Sequence, residues 1–205
     1  YNDFYGKVSF QGSNGSKFNL FGFRFGDAVN YHAISDFKWN SYGGGLNFLA
    51  VPGLSPMLID GNFAYSSYKI SLTEQEKTPR SSEINGFNMS MNFTYFLQKK
   101  REARYGVEML GYRTVFDFYN TANRRIDATE NTTEIAAYFK YKYATTRLLL
   151  EPSFRLHYYA SLAEVSPEPR IAAKYNLSKK FRIKAAGGFY SQNLIAANSD
   201  RDVVN

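Results

Sequence analysis

The sequence predicts an all-β, antiparallel up-and-down transmembrane β-barrel, with about ten strands present. Three observations carry this. Apolar and polar residues alternate with a period of two over segments longer than the usual strand of about 5–6 residues. Clusters of turn-forming residues punctuate those segments at regular intervals. Aromatics make up 18% of the chain, with 17 Tyr and 18 Phe against one Trp, and they gather at segment ends.

Composition narrows the function classes. The 205 residues suffice for one large β-domain. No apolar run is long enough for a spanning helix, which says nothing against strands that span, because these are half polar. With no cysteine, disulfides and Cys-based zinc sites are excluded. A net charge of +7 permits an anionic partner. The opening "YNDFYGKVSF" lacks a Met, a basic segment and an apolar leader, as a mature, processed or partial chain would.

Strands are predicted at roughly 4–11, 17–25, 37–51, 57–72, 84–98, 103–119, 135–143, 147–159, 170–177 and 181–190. Short turns fall at "GSNGS" (12–16), "PGLSP" (52–56), "KKRE" (99–102), "ATT" (144–146) and "LSKK" (177–180). Longer polar connections are expected at 26–36, 73–83, 120–134 and 161–169, so that short and long connections alternate. Asp117, Asp127 and Glu130 read as solvated charges in or near one of these loops.

Residues 85–98, "NGFNMSMNFTYFLQ", show the pattern best. Phe87, Met89, Met91, Phe93, Tyr95 and Leu97 share one face; Asn88, Ser90, Asn92 and Thr94 share the other. The seventh strand sets Ile135, Ala137, Phe139, Tyr141 and Tyr143 against Glu134, Lys140 and Lys142. The eighth sets Leu148, Leu150, Phe154, Leu156 and Tyr158 against Arg147, Glu151, Ser153, Arg155 and His157. The ninth opposes Ile171, Ala173 and Tyr175 to Arg170 and Lys174, and the tenth opposes Ile183 and Ala185 to Arg182 and Lys184.

Alternation alone fits a soluble sandwich, whose apolar face is its core. Strand length, the expected loop asymmetry and aromatics at the short-turn ends (Phe10, Phe18, Tyr95, Tyr105, Tyr141, Tyr143, Tyr175, Phe181) favour a barrel whose apolar face meets lipid. Two irregularities stand out. The sixth strand changes parity between Met109 and Leu110, which predicts a bulge near Met109–Gly111 unless its upper half leaves the membrane. Pro152, in mid-strand, predicts a second bulge.

The segments "INGFNMSMNFTYF", "YGVEMLGY", "ENTTEIAAYFKYK", "LLLEPSFRLHYYASL" and "SPEPRIAAKYNLSKKFRIKAAGGFYSQN" resemble the β-barrel of TonB-dependent outer-membrane receptors. They look most like those of Bacteroidetes that carry a carboxypeptidase-regulatory-like extension. The resemblance implies one part of a barrel of about twenty-two strands, with plug and coupling box outside this sequence. It implies energised uptake of a scarce ligand, an outer-membrane lipid environment, a plug domain and the TonB complex as partners, and surface lipoproteins or other outer-membrane subunits as further candidates. A receptor-like scaffold and a passive porin are the alternatives. The end at "RDVVN", inside a loop, reads as a fragment or the ordered part of a larger protein.

The candidate site is the lumen-facing set Lys140, Lys142, Arg147, Glu151, Arg155, His157, Arg170, Lys174, Arg182 and Lys184. Cations on neighbouring strands would form a positive wall, suited to an anionic substrate or, more plainly, to charge pairing with a plug. Nucleic acid is not expected, because single-strand binders place stacking aromatics beside their cations and here the aromatics lie opposite. The glycine run "SYGGG" (41–45) reads as structural. His32 and His157 have no ligand-spaced partners, so no metal or other cofactor is expected. No triad, nucleophile elbow or paired acid and base emerges, so an enzyme is not expected.

Overall fold

A computed structural model describes residues 1–31, 35–74, 79–97, 100–119, 124–178 and 180–191. His32 and the closing segment from residue 192 onward lie outside the described residues. Ten strands follow one another: β1 (Asn2–Gln11), β2 (Lys17–Tyr31), β3 (Ser35–Ala50), β4 (Met57–Glu74), β5 (Arg80–Leu97), β6 (Arg101–Tyr119), β7 (Arg125–Ala144), β8 (Leu148–Tyr159), β9 (Glu164–Asn176) and β10 (Arg182–Gly188). They form a single sheet in sequence order, every neighbouring pair antiparallel. Among the described residues no ladder joins β1 to β10, and each of these two pairs on one side only.

The expected long connections are largely strand. β2 continues through residues 26–31 to pair Asn30 with Asp36, β7 begins at Arg125 rather than near 135, and β9 begins at Glu164 and runs through Pro167 and Pro169. Asp117, Asp127 and Glu130 therefore sit in β6 and β7, within ladders. These segments lack alternation for a physical reason. A strand wetted on both faces keeps its ladder but has no cause to alternate. The asymmetry between the two ends is one of strand projection, not of loop length.

Neither expected bulge forms. β6 holds one register with β5 and β7 from end to end, so the parity change at Met109–Leu110 involves no extra residue. It marks the height above which the outward side chains are mixed (Arg113, Val115, Asp117) while Tyr112, Phe116 and Phe118 face the other way. At Pro152 the register with β7 is identical on both sides, Lys140 opposite Ser153 and Tyr143 opposite Leu150. The ladder merely skips the rungs between, because proline has no N–H to donate.

The registers assemble each face. Val8, Leu20, Leu46, Phe63, Met89, Met109, Ile135, Tyr158 and Val165 lie along one rung direction across nine strands. One rung away, on the opposite face, run Ser9, Asn19, Asn47, Asn62, Ser90, Glu108, Ala136, His157 and Ser166, in register with one another. Burial is inverted relative to a water-soluble sheet. Met89 is 43% exposed, Met91 41% and Phe139 50%, whereas Asn92 and His157 are 8% exposed and Glu168 1%. Phe93, half-buried, stacks on Tyr105 at 5.2 Å on the same outward face. The apolar face thus exceeds the roughly few hundred Å² of exposed apolar patch that soluble monomers tolerate. From Phe87 to Leu97 the band runs about 33 Å along the strand, or about 25 Å of height at a tilt near 40°.

Glycines admit aromatic rings where strands cross. Gly43 and Gly45 lie opposite Phe23 and Phe21, whose rings cover them. A Cβ at Gly45 would also stand 2.3 Å from the Phe63 carbonyl oxygen. Close packing of rings and backbone therefore explains the "SYGGG" run.

Candidate lumenal wall

The polar face is where side chains converge. On it, groups two strands apart touch. The Tyr138 hydroxyl (β7) donates to Asn92 Oδ1 (β5) over Gly106 of β6, and Arg155 (β8) reaches Glu108 (β6) at 3.1 Å over β7. Such contacts need the inside of a curve and a small residue in the strand between. Gly106 serves the first contact, and Ala136, in register between Glu108 and His157, serves the second.

The predicted residues separate into two groups. Lys140 meets Glu151 at 3.0 Å, Lys142 meets Glu102 at 3.3 Å, Arg155 meets Glu108, and His157 Nε2 stands 3.3 Å from Glu134 with its ring against Tyr159. Arg170 pairs with the fully buried Glu168 and lies 4.4 Å over the Tyr190 ring. This part of the wall is ion-paired, not simply positive. Glu168 also accepts from the Ser191 backbone N–H at 2.9 Å and from its hydroxyl, which ties β9 to the segment after β10.

Lys174, Lys184, Arg182 and Arg147 gather instead at the short-turn end of β8–β10. Lys174 and Lys184 are direct cross-strand partners, and Arg182 is opposite Asn176. Arg147, in the connection before β8, uses its backbone carbonyl to accept from the Asn176 N–H at 2.8 Å. Among the described residues none of these four side chains has a carboxylate partner. Lys174, Lys184 and Glu151 line a cavity of about 590 Å³.

A second cavity, about 310 Å³, is bounded by Asn62, Asn88, Ser90, Glu108, Glu134, Arg155 and His157. Asn62 donates to Asn88 at 2.6 Å and accepts from Ser90; Asn92 donates to Asp60 at 2.8 Å, which also faces Arg104 at 3.8 Å. Sequence reasoning missed the acidic half of this lattice for identifiable reasons. Glu102 and Glu168 fell in stretches read as loops, and Glu108 in the strand whose parity looked broken. Among the described residues no cluster of His, Asp and Glu could hold a metal.

No family profile matches the chain, and no curated protein matches it significantly. Among solved structures, the outer membrane transporter YddB from Escherichia coli superposes with a TM-score of 0.65 at 10% identity, over 84% of this chain and 29% of its own. The chain thus spans under a third of that transporter's length. The translocator domain of the autotransporter NalP from Neisseria meningitidis (TM-score 0.36, 12% identity, 90% of this chain and 80% of its own) is also similar. So is the beta domain of the Bordetella autotransporter Brka (TM-score 0.34, 13% identity, 91% and 90%). Those two scores are too low to bear on the fold. The fold is that of an outer-membrane β-barrel wall, ten up-and-down strands wide.

Proposed function

We propose that this chain forms part of the wall of a bacterial outer-membrane transporter of the TonB-dependent type, importing a scarce ligand past an internal plug. The single observation that carries the reading is the inverted polarity of a sheet that superposes on an outer-membrane transporter: an exposed apolar band outside, a cross-linked polar lattice inside. The apolar band is covered by lipid. The lattice is a stiff wall against which a plug packs, and the unpaired cations at the short-turn end face that plug. The projecting strand ends form the extracellular side, and the TonB complex acts from the other. Catalysis has no part in this function.

The test is uptake by cells with and without the gene, using labelled ferric siderophore, cobalamin and oligosaccharides, each with and without an uncoupler. Loss of one uptake activity on deletion, and its abolition by the uncoupler, are the expected results. Uptake that persists with the uncoupler identifies a passive pore. No loss for any probe, with the protein in the outer membrane, favours a scaffold.

A further inference from the structure

Near the upper edge of the apolar band, the outward face of β2–β4 turns basic. Arg24 lies beside Phe4 and Tyr42, its register partners. Lys69 is opposite Asn40 two rungs higher, and Lys38 opposite Ser71 two rungs higher again. All three project on the face that carries Leu20, Leu46 and Phe63. They line a cavity of about 390 Å³ with Asn40 and Ser71. Arg24 and Lys38 have no carboxylate partner among the described residues. Lys69 stands 3.7 Å from Glu83 with about half of its side chain exposed. Of the nearby acids, Asp36 is engaged with Asn30, and Asp27, which also borders the cavity, has the opposite parity to Arg24 on β2.

A second feature lies directly beneath. Gly6, Gly22 and Gly44 are in register on the same outward face, between the Val8–Leu20–Leu46–Phe63 row and the Phe4–Arg24–Tyr42 row. Three adjacent strands without side chains leave a shallow furrow across the strands, narrowed at Gly6 by the Phe4 ring. It lies between the apolar row and the cations and ends at Tyr65, the register partner of Gly44, whose ring lies 6.5 Å from that of Tyr42.

We propose that this furrow and the cations above it bind a phosphorylated lipid of the outer leaflet. Its acyl chain crosses the glycine row to lie over Leu20 and Leu46, and its headgroup phosphate is held by Arg24, Lys38 and Lys69. A soluble anion would use the cations but has no need of the furrow; a lipid needs both in this order. Cations at headgroup height attract anionic lipid, each contributing about a fivefold gain in affinity. The inference rests on the membrane reading above.

The experiment reconstitutes the full protein into phosphatidylcholine nanodiscs and measures retention of added lipid A, with dephosphorylated lipid A and free inorganic phosphate as comparisons. Preferential retention of the phosphorylated lipid, not displaced by inorganic phosphate, is expected. The triple variant R24Q/K38Q/K69Q should weaken it roughly a hundredfold, while K7Q/K17Q on the polar face leaves it unchanged. Equal retention of the two lipid forms, or no loss in the triple variant, overturns the proposal. Displacement by free phosphate would reveal a plain anion site and also overturns it. If the triple variant misfolds, R24Q/K38Q should weaken retention about 25-fold, and no loss in it overturns the proposal. Failure of the wild-type protein to insert at all defeats the membrane reading itself; insertion without phosphate selectivity defeats only this inference.

Discussion

The Tyr138 hydroxyl donates to the Asn92 side chain across an intervening strand, and it can do so only because that strand carries Gly106 at the crossing. A Cβ at Gly106 would stand 2.7 Å from Asn92 Oδ1, 3.0 Å from the Tyr138 ring and 2.6 Å from the Met91 carbonyl oxygen. The last of these atoms is backbone and yields least. Gly106→Ala should therefore destabilise by about 1–3 kcal/mol, while Tyr138→Phe should cost about 1 kcal/mol. Urea unfolding of the vesicle-reconstituted protein, read by strand circular dichroism, checks both. A neutral Gly106→Ala would mean that the ring does not cross there.

The lipid-facing assignment predicts a sharp contrast on β5. Met91→Arg, near the middle of the apolar band, should cost about 2–4 kcal/mol in bilayers. Met91→Leu should stay within about 1.5 kcal/mol of the parent. Folding yield into phosphatidylcholine vesicles reports the difference. Equal stability of the two variants would place Met91 in water.

On the inward lattice, the Arg155–Glu108 pair is 29% and 40% exposed, so solvent screens part of its attraction. A double-mutant cycle with Arg155→Gln and Glu108→Gln should return a coupling of about 0.5–1 kcal/mol, falling with salt. Lys184→Gln should instead be neutral or stabilising by a few tenths of a kcal/mol in the isolated protein, because it removes a like charge opposite Lys174. A loss on Lys184→Gln would reveal a compensating anion at that end.

At the projecting tip, Arg125 donates to both carboxylate oxygens of Asp117, at 2.9 and 2.8 Å, and this holds the Asp117 carboxyl below its usual range. A lowered folded-state value means the stabilisation is complete above the ordinary Asp value of about 3.9. It is lost as pH falls through the lower folded value. Amide exchange in the tip of β6–β7 should therefore be constant from neutral pH down to about 4 and accelerate below. Asp117→Asn should remove that acid-induced change; an unchanged profile in the variant would assign it to another carboxylate.

Much of the candidate wall was legible because the alternation that lipid imposes also fixes the opposite face. Lys140, Arg155, Lys174 and Lys184 were placed together by parity alone. Their partners were less visible, since Glu102 and Glu168 sit where alternation fades. Proximity across two strands, as between Arg155 and Glu108, depends on curvature that no local pattern encodes.

What the sequence by itself determined is the all-β class, the ten strands, their order and the identity of the two faces, because a period of two is a local property of each strand. Only the tertiary structure decided register, and with it which residues meet. It showed that Pro152 and the parity change of β6 introduce no bulge, that the tips are paired strand, and that a predicted positive wall is in large part an ion-paired lattice. The physical reason is one of range. Side-chain direction follows from a residue's own strand, whereas charge pairing depends on neighbours brought in from strands tens of residues away.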